Sequence, residues 1–187
     1  MRCFLAVPLR EPALGAAQTT LTRLRETVDS VRWTRPETLH ITAHFFGRVD
    51  ESEFSRAVEA VAPVAAGTRP FEVTVDTLGA FPDRGAPRVL WVGPSIENRD
   101  MTALALQCRA ALERAGFEVE ARPFRAHCTL GRPRMPWSGE ARAAWRDALS
   151  HAIEPCAFTA DALVMYESVP ARGGAIYTPR TELSFGG

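Results

Sequence analysis

The sequence contains two copies of a short motif in which one residue separates a histidine from a threonine. His40-Ile41-Thr42 follows Arg35-Pro36, and His127-Cys128-Thr129 follows Arg122-Pro123 at the same spacing, 87 residues later. A single His-x-Thr arises often by chance, whereas a repeat that keeps the arginine, proline, histidine and threonine positions is far more specific. The two histidines and two threonines are therefore the candidate site.

Two histidines and two threonines that face one substrate suit acid–base chemistry at phosphorus. An imidazole, with an unperturbed pKa of about 6.5, accepts or donates a proton near neutral pH. One imidazole can activate a water, the other can protonate the departing alkoxide, and the hydroxyls can hold the non-bridging oxygens, all without a metal ion. These residue types predict a metal-independent phosphodiesterase, in which a pseudo-symmetric pair allows either histidine to be the acid.

The motifs need strands to position them. Residues 39–46 have strand character, and because alternate side chains of a strand share a face, His40 and Thr42 are expected on one side and Ile41 on the core side. The second copy follows the same rule. On this pattern His44 also lies on the groove face, where it is expected to line the groove and not to bind metal, since no carboxylate or cysteine stands at ligand spacing.

The remaining elements alternate irregularly between strands and helices, which favours an α+β chain with mainly antiparallel pairing. An Arg-Gly-Gly turn at residues 172–174 is expected to join the last two strands. The predicted strands cover residues 3–9, 39–46, 71–81, 88–92, 117–121, 126–130, 157–167 and 175–185. The predicted helices cover residues 13–31, 52–66, 100–115 and 140–150.

The repeat also predicts how these elements are organised. Two similar half-chains favour a single domain over residues 1–187, built from two pseudo-symmetric lobes. The expected architecture is a bilobal duplicated fold in which two mainly antiparallel sheets face a central cleft, with the helices on the outside. That arrangement would bring the two histidines together.

Composition bounds the class of protein. With 46% apolar and 24% charged residues, the 187-residue chain has the composition of one soluble globular unit. Positive and negative residues balance at 22 each, so attraction to an acidic partner must come from local clusters. Every cation is an arginine, which excludes Schiff-base and P-loop-lysine chemistry and leaves two-pronged phosphate recognition available.

The start of the chain and its cysteines indicate a cytoplasmic protein. The segment MRCFLAVPLR is too short an apolar run for a signal peptide or a membrane span, so it is expected to be the first strand. The four cysteines are scattered without a Cys-x-x-Cys pair, which favours reduced thiols and gives no support for zinc. His151 is expected on the surface at a helix end, and a monomer is expected because no long exposed apolar face is evident.

Arginines concentrate around the second motif. Arg122, Arg125, Arg132 and Arg134 surround it, and Phe124 lies among them. Such a cluster can follow a phosphate backbone while the aromatic ring stacks on a terminal base. The alternative is an ordinary solvated loop.

Several segments resemble the 2H phosphoesterase superfamily and, within it, the RNA 2′,3′-cyclic phosphodiesterases that are also known as 2′-5′ RNA ligases. The resemblance extends through most of the chain. It rests on FLAVPL near the start, LHIT with the following FFG, RPFRAHCTLGR in the second half, and the YES, GG and IY segments near the end.

This resemblance implies a function and a division of roles. The implied reaction is hydrolysis of a terminal ribose 2′,3′-cyclic phosphate on RNA to a 2′-phosphate, without a cofactor and with a weak reverse joining reaction. His40 would be the general acid and His127 the general base, while Thr42, Thr129 and Arg132 would hold the phosphate. Separately from the resemblance, the arginine cluster predicts that Arg125 and Phe124 contact the substrate.

Two departures and two alternatives accompany the resemblance. Ala43 stands where the family usually has a large aliphatic residue, and His44 stands where it often has a small one, so substrate preference is expected to shift.

The first alternative function is a phosphodiesterase of small cyclic nucleotides. The second is a non-catalytic nucleotide-binding module, against which the retention of both histidines and both threonines argues.

Overall fold

The structure, a computed structural model, describes residues 1–171 and 174–186. The predicted Arg-Gly-Gly turn falls on Arg172 and Gly173, which lie outside the described residues. The helices are α1 (Ala13–Thr27), α2 (Glu51–Gly67), α3 (Arg99–Arg114) and α4 (Gly139–Ser150). The strands are β1 (Arg2–Pro8), β2 (Val31–Trp33), β3 (His40–Arg48), β4 (Phe71–Val75), β5 (Thr77–Phe81), β6 (Val89–Gly93), β7 (Cys128–Pro133), β8 (Cys156–Ala160), β9 (Ala162–Val169) and β10 (Ile176–Ser184).

Most strands belong to one sheet whose order differs from the order along the chain. The sheet order is β10-β9-β1-β3-β7-β6-β5, with β2 added on β7, while β4 and β8 form a separate two-stranded sheet. All pairings among the described residues are antiparallel, which confirms the predicted α+β class. A single register pair, Ile41 with Cys128, joins β3 to β7 and so links the two halves of the sheet. That these halves are duplicated lobes stays a prediction.

The core forms on the side of the sheet that the helices cover. In β1 every residue from Cys3 to Pro8 is buried, because this strand lies between β3 and β9 and has protein on both faces. Helix α3 packs on β3, and α2 packs on α3 and β10. No helix in the described part of the chain is both long and apolar enough to cross a membrane.

Polar caps set the starts of three helices. Asp50 and Glu53 form a reciprocal capping box at the start of α2. The side chains of Asn98 and Ser138 accept hydrogen bonds from backbone N–H groups in the first turns of α3 and α4. These caps fix where each helix begins and hence which residues face the sheet.

The structure corrects several predicted boundaries. The predicted strand at 117–121 is wrong, because this segment pairs with no other strand in the described residues. The ring of Phe117 packs edge-on against Phe46. The predicted strands at 71–81 and 157–167 each divide, at Asp76 and Asp161, because the chain changes there from one sheet to the other. The predicted helix 13–31 ends at residue 27, and the last residue of that predicted range begins β2.

Candidate active site

Both His-x-Thr motifs lie where the two halves of the sheet meet. Ile41 pairs with Cys128, and both side chains are fully buried on the core face. In antiparallel pairing the residues that flank such a pair are neighbours, so each histidine lies beside the threonine of the other motif. The two histidines are close enough that a positive charge on His127 lowers the pKa of His40. The tertiary structure therefore brings together the four side chains that the repeat singles out.

The two imidazoles are held by the same local hydrogen bond. The Nδ1 atom of His40 lies 2.6 Å from the carbonyl oxygen of Thr38, and Nδ1 of His127 lies 2.8 Å from the carbonyl oxygen of Arg125. Because a carbonyl only accepts, Nδ1–H is the donor in each case and Nε2 carries the lone pair. Each ring therefore offers Nε2 to a substrate, whichever histidine acts first.

Burial is the main cause of the lowered pKa of His40. Its protein surroundings lower the pKa to about 4, against an ordinary value of 6.5, because burial disfavours the imidazolium. The hydrogen bond to Thr38 opposes this shift, and the charge of His127 adds to it. In the free protein His40 is therefore a neutral base at pH 7.

The pKa of His127 is also lowered, for partly different reasons. Burial is again the largest cause of its lowered pKa, and the bond to the Arg125 carbonyl again opposes it. The guanidinium groups of Arg132 and Arg125 lower it further. A bound phosphate would offset both effects, since a nearby anion favours the protonated ring.

Aromatic rings enclose His40 on the β1 side of the site. Phe4 stacks on the imidazole with centroids 4.7 Å apart, Tyr166 lies parallel at 5.8 Å, and Tyr177 meets it edge-on at 5.4 Å. These three residues come from β1, β9 and β10, which are neighbours in the sheet. Individual strand patterns do not show that they converge, although the YES and IY segments contain both tyrosines.

The second imidazole has a different aromatic wall. Phe81 packs perpendicular to His127 with centroids 4.9 Å apart, and Trp91 lies at 6.4 Å. The indole covers Gly79 on the neighbouring strand, where a Cβ atom would overlap the ring. The indole Nε1–H is buried and has no partner in the described residues. A glycine opposite a tryptophan in two predicted strands is the sequence signal that could have found this wall.

A β-bulge overturns the prediction for His44. Leu5 pairs with His44 and Ala6 pairs with Thr42, so Ala43 is an extra residue that reverses the alternation of faces. His44 consequently points to the core face, where it is 7% exposed and its ring meets Phe46 at 4.6 Å. The predicted role of His44 in lining the cleft is therefore wrong.

The bulge also gives the cleft face a different residue from the one predicted. Phe45 lies opposite Phe4 in the register, is 61% exposed, and has its ring 5.9 Å from that of Phe4. On the opposite face the Nε2 atom of His44 is buried without a partner in the described residues. Burial and the charge of Arg109 on α3 lower the pKa of His44.

The second motif is followed by a matching bulge. Leu90 pairs with Gly131 and Trp91 pairs with Thr129, which leaves Leu130 as the extra residue. The next side chain, Arg132, is therefore returned to the cleft face, and its charge acts on the second histidine. Its contact with a phosphate stays a prediction.

The other two predicted substrate contacts have partners within the protein. Arg125 pairs with Asp83 at 2.7 Å and lies 4.7 Å above the ring centroid of Phe81. Phe124 is half-buried and packs against the core. Their contacts with substrate stay predictions, and the rings found against the second histidine are those of Phe81 and Trp91.

The potential metal ligands are dispersed. Within residues 1–171 and 174–186, no three histidine, cysteine, aspartate or glutamate side chains form a group that could hold a metal ion. The four cysteines are free, and Cys3, Cys108 and Cys128 are buried. His151, as predicted, is exposed at the end of α4, where its Nδ1–H donates to the carbonyl oxygen of Asp147 at 2.8 Å.

Known proteins share this sequence pattern. A family model described as LigT like Phosphoesterase matches residues 14–91, which include the first motif. An RNA 2′,3′-cyclic phosphodiesterase from Archaeoglobus fulgidus is 36% identical over 132 residues, covering 71% of this chain and 72% of that protein. A protein of the same name from Thermotoga maritima is 29% identical and covers 100% of this chain and 97% of its own length.

Solved structures share the fold over the whole chain. The crystal structure of TT0787 of Thermus thermophilus has a TM-score of 0.79 at 25% identity and covers 99% of this chain and 98% of that chain. Escherichia coli LigT complexed with 3′-AMP has a TM-score of 0.75 at 22% identity, with coverage of 98% and 97%. The same architecture therefore occurs in a protein that binds a nucleotide.

Proposed function

The chain belongs to the LigT-like phosphoesterase family and is a hydrolase of phosphodiester bonds, and on that premise we propose that it opens the ribose 2′,3′-cyclic phosphate at an RNA 3′ end to leave a 2′-phosphate. The observation that carries this proposal is the register pair of Ile41 with Cys128, since the residues that flank this pair are the two histidines and two threonines of the repeat, and each histidine uses Nδ1 for a backbone bond. The names of the Archaeoglobus and Thermotoga relatives support the substrate class.

In the proposed reaction a water attacks phosphorus and the bond from phosphorus to O3′ breaks. Nε2 of the base takes one proton from the water, and Nε2–H of the acid gives one proton to O3′, so the histidines exchange protonation states. Thr42 and Thr129 donate hydrogen bonds to the non-bridging oxygens. When a 5′-hydroxyl replaces water, the same steps form a 2′-5′ linkage, which is the reverse joining reaction.

The family resemblance makes His40 the acid and His127 the base. The low pKa of His40 in the free protein means that substrate must favour its protonation. The cyclic phosphate supplies that effect, because a negative charge beside an imidazole stabilises the imidazolium. The reverse assignment uses the same atoms and would break the bond to O2′ instead. The position of the product phosphate distinguishes the two.

The test is an RNA oligonucleotide that ends in a 2′,3′-cyclic phosphate, incubated with the protein and excess EDTA. We expect a 2′-phosphomonoester, identified by its resistance to an enzyme specific for 3′-phosphates. Loss of activity in EDTA, restored by a divalent cation, would overturn the metal-independent mechanism. A 3′-phosphate product would overturn the assignment of acid and base.

A nucleoside 2′,3′-cyclic phosphate serves as the comparison substrate. Its turnover separates hydrolysis of RNA ends from hydrolysis of small cyclic nucleotides, because both need the same four groups but only RNA has further phosphates. A protein that binds nucleotides tightly yet hydrolyses neither substrate would be a binding module, and the proposed function would fail.

A further inference from the structure

A groove with three arginines runs along the edge strand β2 and its partner β7. It has a volume of about 440 Å³, and Arg32, Arg132 and Arg134 line its charged side. Backbone hydrogen bonds fix both of its margins: Thr34 N–H donates to the carbonyl oxygen of Leu130, and Arg134 N–H donates to that of Ser30. The arginines are exposed, and the backbone that carries them is paired.

The charge arrangement in this groove is unfavourable in the protein alone. Arg32 and Arg132 are directly opposite each other in the antiparallel register. Like charges at such positions repel, because their Cβ atoms are only about 5 Å apart. In the described residues neither arginine has a carboxylate within salt-bridge distance, and the same holds for Arg134.

The groove differs from single exposed arginines because three guanidinium groups lie together in it. Elsewhere in the described residues, Arg10, Arg122, Arg125 and Arg180 each pair with an aspartate or glutamate, and other arginines have no acidic partner. The net charge of the chain is zero, so acidic residues are available but are placed elsewhere. A concentration of guanidinium groups without acidic partners, held on a paired edge, favours an anionic ligand with oxygens for two-pronged hydrogen bonds.

Arg132 links the groove to the candidate active site. The bulge at Leu130 turns Arg132 to the face that carries Thr129, and its charge reaches His127. Arg32 lies opposite Arg132 on β2, which flanks β7 on the same side as β3, and Arg134 is two residues further along the chain. An anion held by Arg32 and Arg134 would therefore lie further along β7 than a phosphate held between Arg132 and the histidines.

We propose that this groove binds a backbone phosphate of the RNA strand next to the terminal cyclic phosphate, and so selects oligonucleotides over mononucleotides. The inference rests on the proposed function and deepens it by assigning a second phosphate site. Arg32 and Arg134 belong to this site alone, whereas Arg132 lies between the two phosphates. The substrate class is therefore a single-stranded RNA end of at least two nucleotides.

The experiment compares wild type with the double variant Arg32→Gln/Arg134→Gln on two substrates. One is a tetranucleotide that ends in a 2′,3′-cyclic phosphate, and the other is a nucleoside 2′,3′-cyclic phosphate. Arg69→Gln is the charge control, because it removes one exposed guanidinium in the connection between α2 and β4, outside the groove. We expect kcat/KM on the tetranucleotide to fall at least about tenfold, mainly through KM, with the mononucleotide unchanged within about twofold.

Salt dependence adds a second signature. For single-stranded substrates the slope of log affinity against log salt is about 0.7 for each neutralised phosphate. The slope for the tetranucleotide should therefore be shallower by about 0.7 in the double variant, with no change in Arg69→Gln. A uniform loss on both substrates, or no loss on the tetranucleotide, would overturn the second phosphate site.

A binding measurement separates this inference from the proposed function. A 5′-fluorescein tetranucleotide with a 3′-phosphate is titrated with each protein, and anisotropy reports affinity without turnover. Weaker binding by at least about tenfold in the double variant supports the phosphate site in the groove, even if wild type hydrolyses neither substrate. The absence of hydrolysis would overturn only the proposed function. Equal affinities of wild type and double variant would overturn the groove whatever the activity.

Discussion

The two motif segments, β3 and β7 with the His127 that immediately precedes it, have the same backbone plan and different surroundings. In each, a histidine bonds through Nδ1 to a carbonyl two residues earlier, and a threonine follows on the same face. A bulge at Ala43 or Leu130 then reverses the alternation. The residue after the bulge that faces the cleft is Phe45 in the first strand and Arg132 in the second.

This difference teaches how one duplicated motif can serve two purposes. Around His40 the neighbours are Phe4, Tyr166 and Tyr177, so the ring is enclosed and its pKa falls mainly through burial. Around His127 the neighbours include guanidinium groups, which lower its pKa by charge as well. The first half therefore offers apolar surface, and the second half adds positive charge to its own aromatic wall, which suits the proposed substrate with its base and phosphates.

The largest expected effect on activity comes from removing the histidine of each motif in turn. His40→Ala and His127→Ala should each lower kcat on the cyclic phosphate by about 10²–10⁴-fold, because each removes one proton-transfer group. His151→Ala is the matched control, since its ring is exposed at the end of α4. Retention of more than one-tenth of the activity by either cleft variant, with an unchanged circular dichroism spectrum, would contradict the two-histidine site.

The threonines test whether the symmetry extends to the chemistry. Thr42→Val and Thr129→Val keep the shape and remove a hydroxyl donor to the phosphate in the proposed mechanism, so kcat should fall by about 10²–10³-fold in each. Thr159→Val, at an exposed position in β8, provides the control. Kinetics of the three variants on one cyclic phosphate give the comparison. A loss confined to one cleft threonine would show that only that half holds the phosphate.

The lowered pKa values predict an acid-shifted profile for the free protein. The proposed mechanism needs one imidazole protonated and one neutral, and burial lowers the pKa of each below its ordinary value of 6.5. Above pH 6.5 the protonated form is lost, so kcat/KM should fall about tenfold per pH unit, while kcat should fall at higher pH because bound phosphate stabilises the imidazolium. Rates from about pH 4 to about pH 9 measure both curves. A kcat/KM maximum above about pH 7 would contradict the lowered values.

The smallest effect concerns the bulge. His44→Leu replaces a buried imidazole whose Nε2 has no described partner, so the free energy of unfolding should be unchanged or about 1 kcal/mol higher, and kcat/KM should be unchanged. Phe45→Ser should instead raise KM, since it alters the cleft face. Urea unfolding and steady-state kinetics distinguish the two positions. If KM rose strongly for His44→Leu and not for Phe45→Ser, the side chain in the cleft would be that of His44.

Local patterns predicted much of the fold. The helices and most strands lie within a few residues of their predicted positions, because capping residues such as Asp50 and runs of apolar residues act locally. The strand predicted at 117–121 failed because strand formation needs a partner, and that segment has none. The divisions at Asp76 and Asp161 depend on which sheet receives each half, which no local pattern encodes.

The sequence by itself determined the four groups of the candidate site. The Arg-Pro-x-x-x-His-x-Thr repeat and strand alternation place each threonine on the face of its histidine, because both properties are local to a few residues. Only the tertiary structure decided what surrounds them. The bulges that turn His44 inward and Arg132 outward arise from pairing with other strands, and the burial that lowers the pKa of His40 comes from β1, β9 and β10. These contacts join residues far apart in the chain, so their effects appear only when the sheet is assembled.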